Sequence, residues 1–141
     1  IRKAMDDEAL PVFGDGSIVR DFLYVEDLVE CMLLCAATKA CVGEVFNVGS
    51  GVPVTFREIA EKIVRVIGRG SYTFTEFTKE RAEVEPGDYW ADISKICKFT
   101  GWRPTISLEE GIARTYEFYS RFREHYWLQD VRAVEYEDPL L

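Results

Sequence analysis

Apolar residues recur along this chain in two rhythms, helical spacing and strict alternation, which divide it into helices and short strands. Residues 1–8 read as the end of a helix broken before Pro11. Pro11-Val12-Phe13 is a short extended piece, and Gly14-Asp15-Gly16 signals a turn. Residues 17–23 alternate loosely and predict a short strand or two. Val25, Leu28, Val29, Met32, Leu33 and Ala36 trace one face of a helix, with Glu26 and Asp27 in its first turn beside the positive end of the dipole. Residues 44–49 (E-V-F-N-V-G) predict a strand, and residues 50–53 a loop. Thr55 and Glu58 predict a capping box for a helix that carries Ile59, Ala60, Ile63, Val64 and Ile67 and stops at Gly68. Residues 72–77 alternate with period two and predict a strand, whereas the polar stretch 78–88 predicts irregular chain. Asp92 is placed to cap a short helix over 93–99, closed by Gly101. Ser107-Leu108-Glu109-Glu110 opens a last helix, whose stripe of Leu108, Ile112, Tyr116, Tyr119, Phe122 and Tyr126 reads as core. The expected architecture is a mixed α and β domain over residues 1–127, with short strands, about three main helices and a tail over 128–141.

Composition narrows the picture. A length of 141 residues suits one domain, and 48% apolar with 13% aromatic residues suffices for a core. The start, Ile1-Arg2-Lys3-Ala4-Met5, has neither an initiator Met at position 1 nor a signal-peptide apolar stretch, so the chain is expected to be trimmed or part of a longer protein. No apolar run approaches the length of a membrane span. With 25 acidic against 17 basic residues the net charge is −8, which excludes duplex nucleic acid as a partner. Any anionic ligand must be met by a few well-placed arginines.

Cys31, Cys35, Cys41 and Cys97 form neither a C-x-x-C pair nor a disulfide framework. They read as small core residues, and no metal site is expected. A reducing, cytoplasmic setting follows. His125, the single histidine, falls near the end of a charged aromatic helix. The chain has no H-E-x-x-H, no nucleophile elbow, no complete dinucleotide fingerprint and no Tyr-x-x-x-Lys, so no catalytic residue is assigned.

Three loops carry candidate chemistry. In the first, Gly14 lets backbone approach a ligand, and Arg20 offers a planar fork for phosphate or a surface ion pair with Asp21. The second, Asn47-Val48-Gly49-Ser50-Gly51, leads from a strand to a helix, as phosphate-cradling loops do, but lacks the established spacings and also suits a plain turn. The third places Arg81 before Glu85-Pro86-Gly87-Asp88, as phosphate ligand and hydroxyl acceptors or as a solvated charged loop.

Taken together and in order, "GDGSIVRDFLYVEDLVE", "GEVFNVGSGVPVTFREIAEKI", "EPGDYWADISKI" and "FTGWRPTISLEEGIARTYEFY" resemble the C-terminal part of the extended short-chain dehydrogenase/reductase family, the NAD-dependent nucleotide-sugar epimerases and dehydratases. The resemblance runs from about Ala9 to Trp127. It implies the smaller, substrate-binding domain of such an enzyme, without the Rossmann domain that holds NAD and the catalytic Tyr-x-x-x-Lys. By position, Arg20 would bind the diphosphate of a nucleoside-diphosphate sugar, and Arg81 would be a second phosphate arginine, although the commoner pattern sets it nearer G-D. Phe13 and Gly14 would run beside the base, Phe22 near nucleotide or sugar, and Thr55 or Phe56 at the nucleotide end. Glu85 and Asp88 would meet the ribose. Asp27 and Asn47 match recurring family positions. The family's chemistry is hydride abstraction at sugar C4 with a tyrosine as base, and epimerases return the hydride to the other face. The implied function is the substrate-binding portion of a 4-epimerase or related dehydratase. Its partners would be the missing Rossmann domain and, in a homodimer, a second copy. The alternative is a stand-alone, non-catalytic nucleotide-sugar-binding or dimerisation domain.

Overall fold

A computed structural model describes residues 1–127, and the expected tail lies outside them. In chain order the elements are α1 (Arg2–Met5), β1 (Ala9–Phe13), β2 (Val19–Asp21), α2 (Val25–Ala37), a 3-10 turn (Lys39–Cys41), β3 (Pro53–Thr55), α3 (Phe56–Ile67), β4 (Ser71–Thr75), α4 (Lys79–Glu83), α5 (Ser94–Thr100), α6 (Leu108–Arg121) and α7 (Arg123–Trp127). The described strands form two two-stranded sheets in a small mixed α/β fold. β1 runs parallel to β4 from Ala9–Ser71 to Phe13–Thr75, and β2 runs antiparallel to β3 with Arg20 opposite Val54.

The clearest local signal is at α3. Thr55 Oγ1 accepts the Glu58 amide (3.1 Å) while Glu58 Oε2 accepts the Thr55 amide (2.8 Å), a reciprocal cap that turns β3 directly into the helix. α3 then packs on α1, β1 and α6. One core gathers Ala4, Met5 and Ile67 beneath Ile63, Tyr116 and Tyr119. A second gathers Cys31, Ile96 and Trp102 beneath Leu34, Phe46 and Val48. Asp27, 2% exposed, ties α2 to the approach to α6 by accepting the Thr105 amide (3.1 Å), the Thr105 hydroxyl (2.9 Å) and the Ile106 amide (3.0 Å).

Several local expectations are corrected. Residues 44–49 form no strand: Phe46 and Val48 turn inward while Val45 is 81% exposed, but no described strand lies alongside to share a ladder. β3 begins inside the expected loop, with Pro53 at the first strand position, where its missing N–H costs no ladder bond. α4 interrupts the expected irregular stretch, its start capped by Thr78 Oγ1 accepting the Arg81 amide at 3.3 Å. The last helix breaks at Phe122 and resumes as α7, which leaves Tyr126 54% exposed rather than in the core. The apolar face of α2 points outward: Val25, Val29, Met32 and Leu33 are all about half exposed or more, and the helix packs instead through Asp27, Cys31, Leu34 and Cys35.

Burial pushes the Asp27 carboxyl up, but the Thr105 and Ile106 amides and the Thr105 hydroxyl outweigh it and hold the group below the usual range. Its stabilisation is therefore complete above the unfolded value of about 3.9 and is lost as pH falls through the lower folded value. Asp27→Ala strands three donors and is expected to cost about 2–4 kcal/mol in urea unfolding. Wild type should lose more stability on acidification below about pH 4 than Asp27→Asn, which has no carboxyl to titrate.

Candidate functional site

The three residues of β2 hold segment 85–91 against the sheet. The Val19 amide donates to Asp88 Oδ1 (2.8 Å), and the Tyr89 amide donates to the Val19 carbonyl (3.3 Å). Arg20, 9% exposed, donates from Nη1 to the carbonyls of Val19 (2.8 Å) and Gly87 (2.6 Å), and its Nη2 pairs with Glu85. Its guanidinium lies against the rings of Phe56 (5.2 Å) and Tyr89 (4.8 Å). Asp21, on the opposite face of the strand, accepts the amides of Ser50 (2.7 Å), Gly51 (3.1 Å) and Ala91 (3.1 Å) and the Ser50 hydroxyl (2.5 Å). Burial raises the Asp21 carboxyl, but these donors more than offset it and keep it ionised below the usual range. Gly49 is required here, because a Cβ would strike Asp21 Oδ2 and lie 2.7 Å from Ala91 Cβ.

Beside Arg20 lies a cleft of about 220 Å³ lined by Leu10, Phe13, Phe56, Ile59, Ile63 and Arg81. Arg81, exposed at the middle of α4, stands 3.9 Å over the Phe13 ring, which itself packs on Phe77 with centroids 5.5 Å apart. Among the described residues no carboxylate pairs with Arg81. Gly14 adopts φ 64° at the end of β1, donates to the Thr75 carbonyl (2.9 Å), and would press a Cβ to within 3.1 Å of Phe77.

Backbone offers no anion site at either place that the sequence suggests. The first amides of α3 are taken: Phe56 donates to Ile18 (3.0 Å), Arg57 to Gly16 (3.0 Å) and Glu58 to Thr55 Oγ1 (3.1 Å). The 47–51 loop spends its Ser50 and Gly51 amides on Asp21, so it does not fit the pyrophosphate of a dinucleotide. Among the described residues no cluster of three or more His, Cys, Asp or Glu is placed to hold a metal, and no helix is long and apolar enough to cross a membrane.

The structure thus sets Phe13, Phe56 and Arg81 on the cleft itself, with Gly14 following Phe13 at the end of β1, whereas Arg20, Glu85 and Asp88 stand behind the Phe56 wall: Arg20 packs on Phe56 and pairs with Glu85, and Asp88 accepts from Val19. Thr55 is next to Phe56 but is engaged in the helix cap. Asn47 is exposed in a separate cleft of about 540 Å³ with Tyr89, Trp90 and Asp92. Phe22 lines a third, of about 500 Å³, with Lys62 and Thr105. Sequence reasoning missed Tyr89, which stacks on Arg20, and the role of Asp21. The only signal for Tyr89 was an aromatic pair just after Pro86-Gly87-Asp88.

Residues 1–115 match the family described as GDP-mannose 4,6 dehydratase. The low-salt glycan biosynthesis protein Agl12 of Haloferax volcanii is 40% identical over 120 residues, covering 84% of this chain and 37% of that protein. An epimerase structure from Methanothermobacter thermautotrophicus superposes with a TM-score of 0.80 at 26% identity, covering 88% of this chain and 36% of that one. The UDP-glucose 4-epimerase of Thermotoga maritima, solved with UDP-glucose, superposes with a TM-score of 0.74 at 29% identity, covering 86% and 38%. The chain spans little more than a third of the length of these proteins.

The two arginines separate in a stability experiment. Arg20→Ala leaves Glu85 and two carbonyls without their cation and is expected to cost about 2–4 kcal/mol in urea unfolding. Arg81→Ala removes an exposed side chain and should stay within about 0.5 kcal/mol of wild type.

Proposed function

Because the chain belongs to the NAD-dependent nucleotide-sugar epimerase/dehydratase superfamily, we propose that residues 1–127 grip the nucleoside diphosphate of a sugar-nucleotide substrate, as the substrate-binding portion of a 4-epimerase or related dehydratase. The observation that carries this reading is the apolar cleft with Arg81 over Phe13 and Arg20 over Phe56. The aromatic walls and the turn at Gly14 suit a nucleobase. Arg81 is the arginine free to meet the diphosphate, whose charges match a planar guanidinium fork, and Arg20, paired with Glu85, holds the neighbouring loop in place. Glu85 and Asp88, at the ends of segment 85–88, are the proposed ribose acceptors. Thr55 stands beside the proposed nucleotide end, whereas Phe22 and Asn47 lie in other clefts and have no part in this grip.

NAD is bound in solved members of the superfamily. In this proposal NAD and the hydride chemistry at sugar C4 belong to a further Rossmann-type unit. The outward apolar face of α2 and the unpaired segment 44–49 support a unit packed there. Binding energy from the nucleotide then serves to position the sugar at the cofactor. The same α2 face favours a second reading, self-association as a binding or dimerisation module. A dimer in sedimentation equilibrium that Met32→Glu disperses supports that role.

Calorimetric titration of the purified chain with UDP-, dTDP- and GDP-sugars tests the grip directly. One nucleotide class is expected to bind, and Arg81→Ala is expected to weaken it at least about tenfold while folding normally, the size of a lost charged hydrogen bond. Equal affinity in wild type and Arg81→Ala removes the clamp from the reading.

A further inference from the structure

The four cysteines take no part in the site above, and all are free thiols. Cys31, Cys35 and Cys97 share the core built on Ile96 and Trp102. Cys41 joins them by local folding. The Thr38 amide donates to the Cys35 carbonyl (3.2 Å) and the Cys41 amide donates to the Thr38 carbonyl (2.9 Å), so two successive tight turns carry Cys41 back beside Cys35. Cys31 and Cys41 are buried, at 1% and 9% exposure, whereas Cys35 is partly open. Burial, and then the adjacent Cys35, push Cys31 up to about 11 and push Cys41 in the same direction. Cys97 is partly open as well, so a small oxidant reaches Cys35 and Cys97 first, and of the two it is Cys35 that has Cys41 beside it.

We propose that Cys35 and Cys41 form a redox-modification site, in which a hydroperoxide oxidises Cys35 and Cys41 closes a disulfide with it. The Cys35 sulfur attacks one peroxide oxygen and the O–O bond breaks. Cys35 becomes a sulfenic acid, and the other oxygen leaves as water or alcohol carrying the thiol proton. The Cys41 sulfur then displaces the sulfenic hydroxyl, which leaves as water with the Cys41 proton. Two thiols are oxidised by two electrons in all, and the hydroperoxide is reduced.

The choice of Cys41 follows from what each neighbour stands on. Cys31 is one turn away on the same helix, about 6 Å along its axis, and a disulfide there would require unwinding α2. Cys97, itself partly open, is anchored on α5 beside the fully buried Ile96 and neighbours Cys31 rather than Cys41. Cys41 sits outside α2 in a three-residue turn flanked by exposed residues, so a bond to Cys35 leaves the helix ladder intact. The bond would pin the C-terminal end of α2, the helix whose apolar face points outward.

The test uses the full chain treated with hydrogen peroxide, alkylated and digested with trypsin without reduction. Cleavage after Lys39 separates the two cysteines, so the expected product joins peptide 21–39 to peptide 40–57. A link from 21–39 to 96–98, loss of two hydrogens within 21–39, or oxidation without any link overturns the pairing. Peptide 21–39 also holds Cys31, so Cys31→Ser is run alongside and should keep the link. Cys35→Ser should abolish it, and a link that persists there overturns the proposal. Cys41→Ser should leave Cys35 as a sulfenic acid captured by dimedone; the absence of that adduct overturns the order of the two steps.

Discussion

Segment 85–91 has no regular structure to hold it, and β2 supplies what is missing. Three consecutive strand residues bind it by three means: a backbone amide at Val19, a guanidinium at Arg20 and, from the other face, a carboxylate at Asp21. The alternation of a strand makes this possible. Arg20 and Asp21 point to opposite sides, so one clasps the 85–89 stretch while the other gathers the 49–51 loop and Ala91. Tyr89 and Phe56, which both pack on Arg20, belong to segments far apart in sequence and are joined through β2. The clasp reaches the candidate cleft through Phe56, the wall on which Arg20 packs.

A second consequence concerns charge. Arg20 is bought into the interior by Glu85 and by two carbonyls, so its positive charge is already compensated in the free chain. Arg81 carries its charge on the surface of α4, against Phe13 alone. The pair therefore divides into a buried arginine that organises the loop and an exposed one that is available to an anion. In a chain of net charge −8, the one exposed arginine at the cleft counts for more than the overall sign.

Signals confined to a few residues were legible in the sequence. The Thr55–Glu58 box, Ser107 accepting the Glu110 amide, and the stops at Gly68 and Gly101 all stand where the pattern places them. What escaped depends on partners distant in the chain. Residues 44–49 have the alternation of a strand, but alternation specifies which faces differ and says nothing of whether a neighbour supplies hydrogen bonds. The α2 stripe shows that one face is apolar without showing that this chain covers it. Asp21 next to Arg20 suggests an ion pair, yet the arginine finds Glu85 and the aspartate finds four donors, because adjacent strand residues cannot face each other. Of the candidate site, the residue types were legible and their grouping was not: Asn47 and Phe22 lie in other clefts.

How an anion is to be held follows from which donors remain. A loop between strand and helix, and a helix opening beside it, are the usual backbone sites for phosphate. Here both are filled from within. The carboxylate of Asp21 occupies the amides of 50–51 as an internal anion, and α3 gives its first amides to Ile18, Gly16 and its own cap. Opening either would forfeit bonds that hold β2 and β3 in place, about 1.5–3 kcal/mol for each bond to the Asp21 carboxylate and about 0.5–1.5 kcal/mol for each neutral bond at the start of α3. Side chains are cheaper donors, since Arg81 gives up only solvent and one aromatic face. A phosphate-bearing ligand at this cleft must therefore be read by guanidinium forks and aromatic surfaces, with the backbone serving to position them.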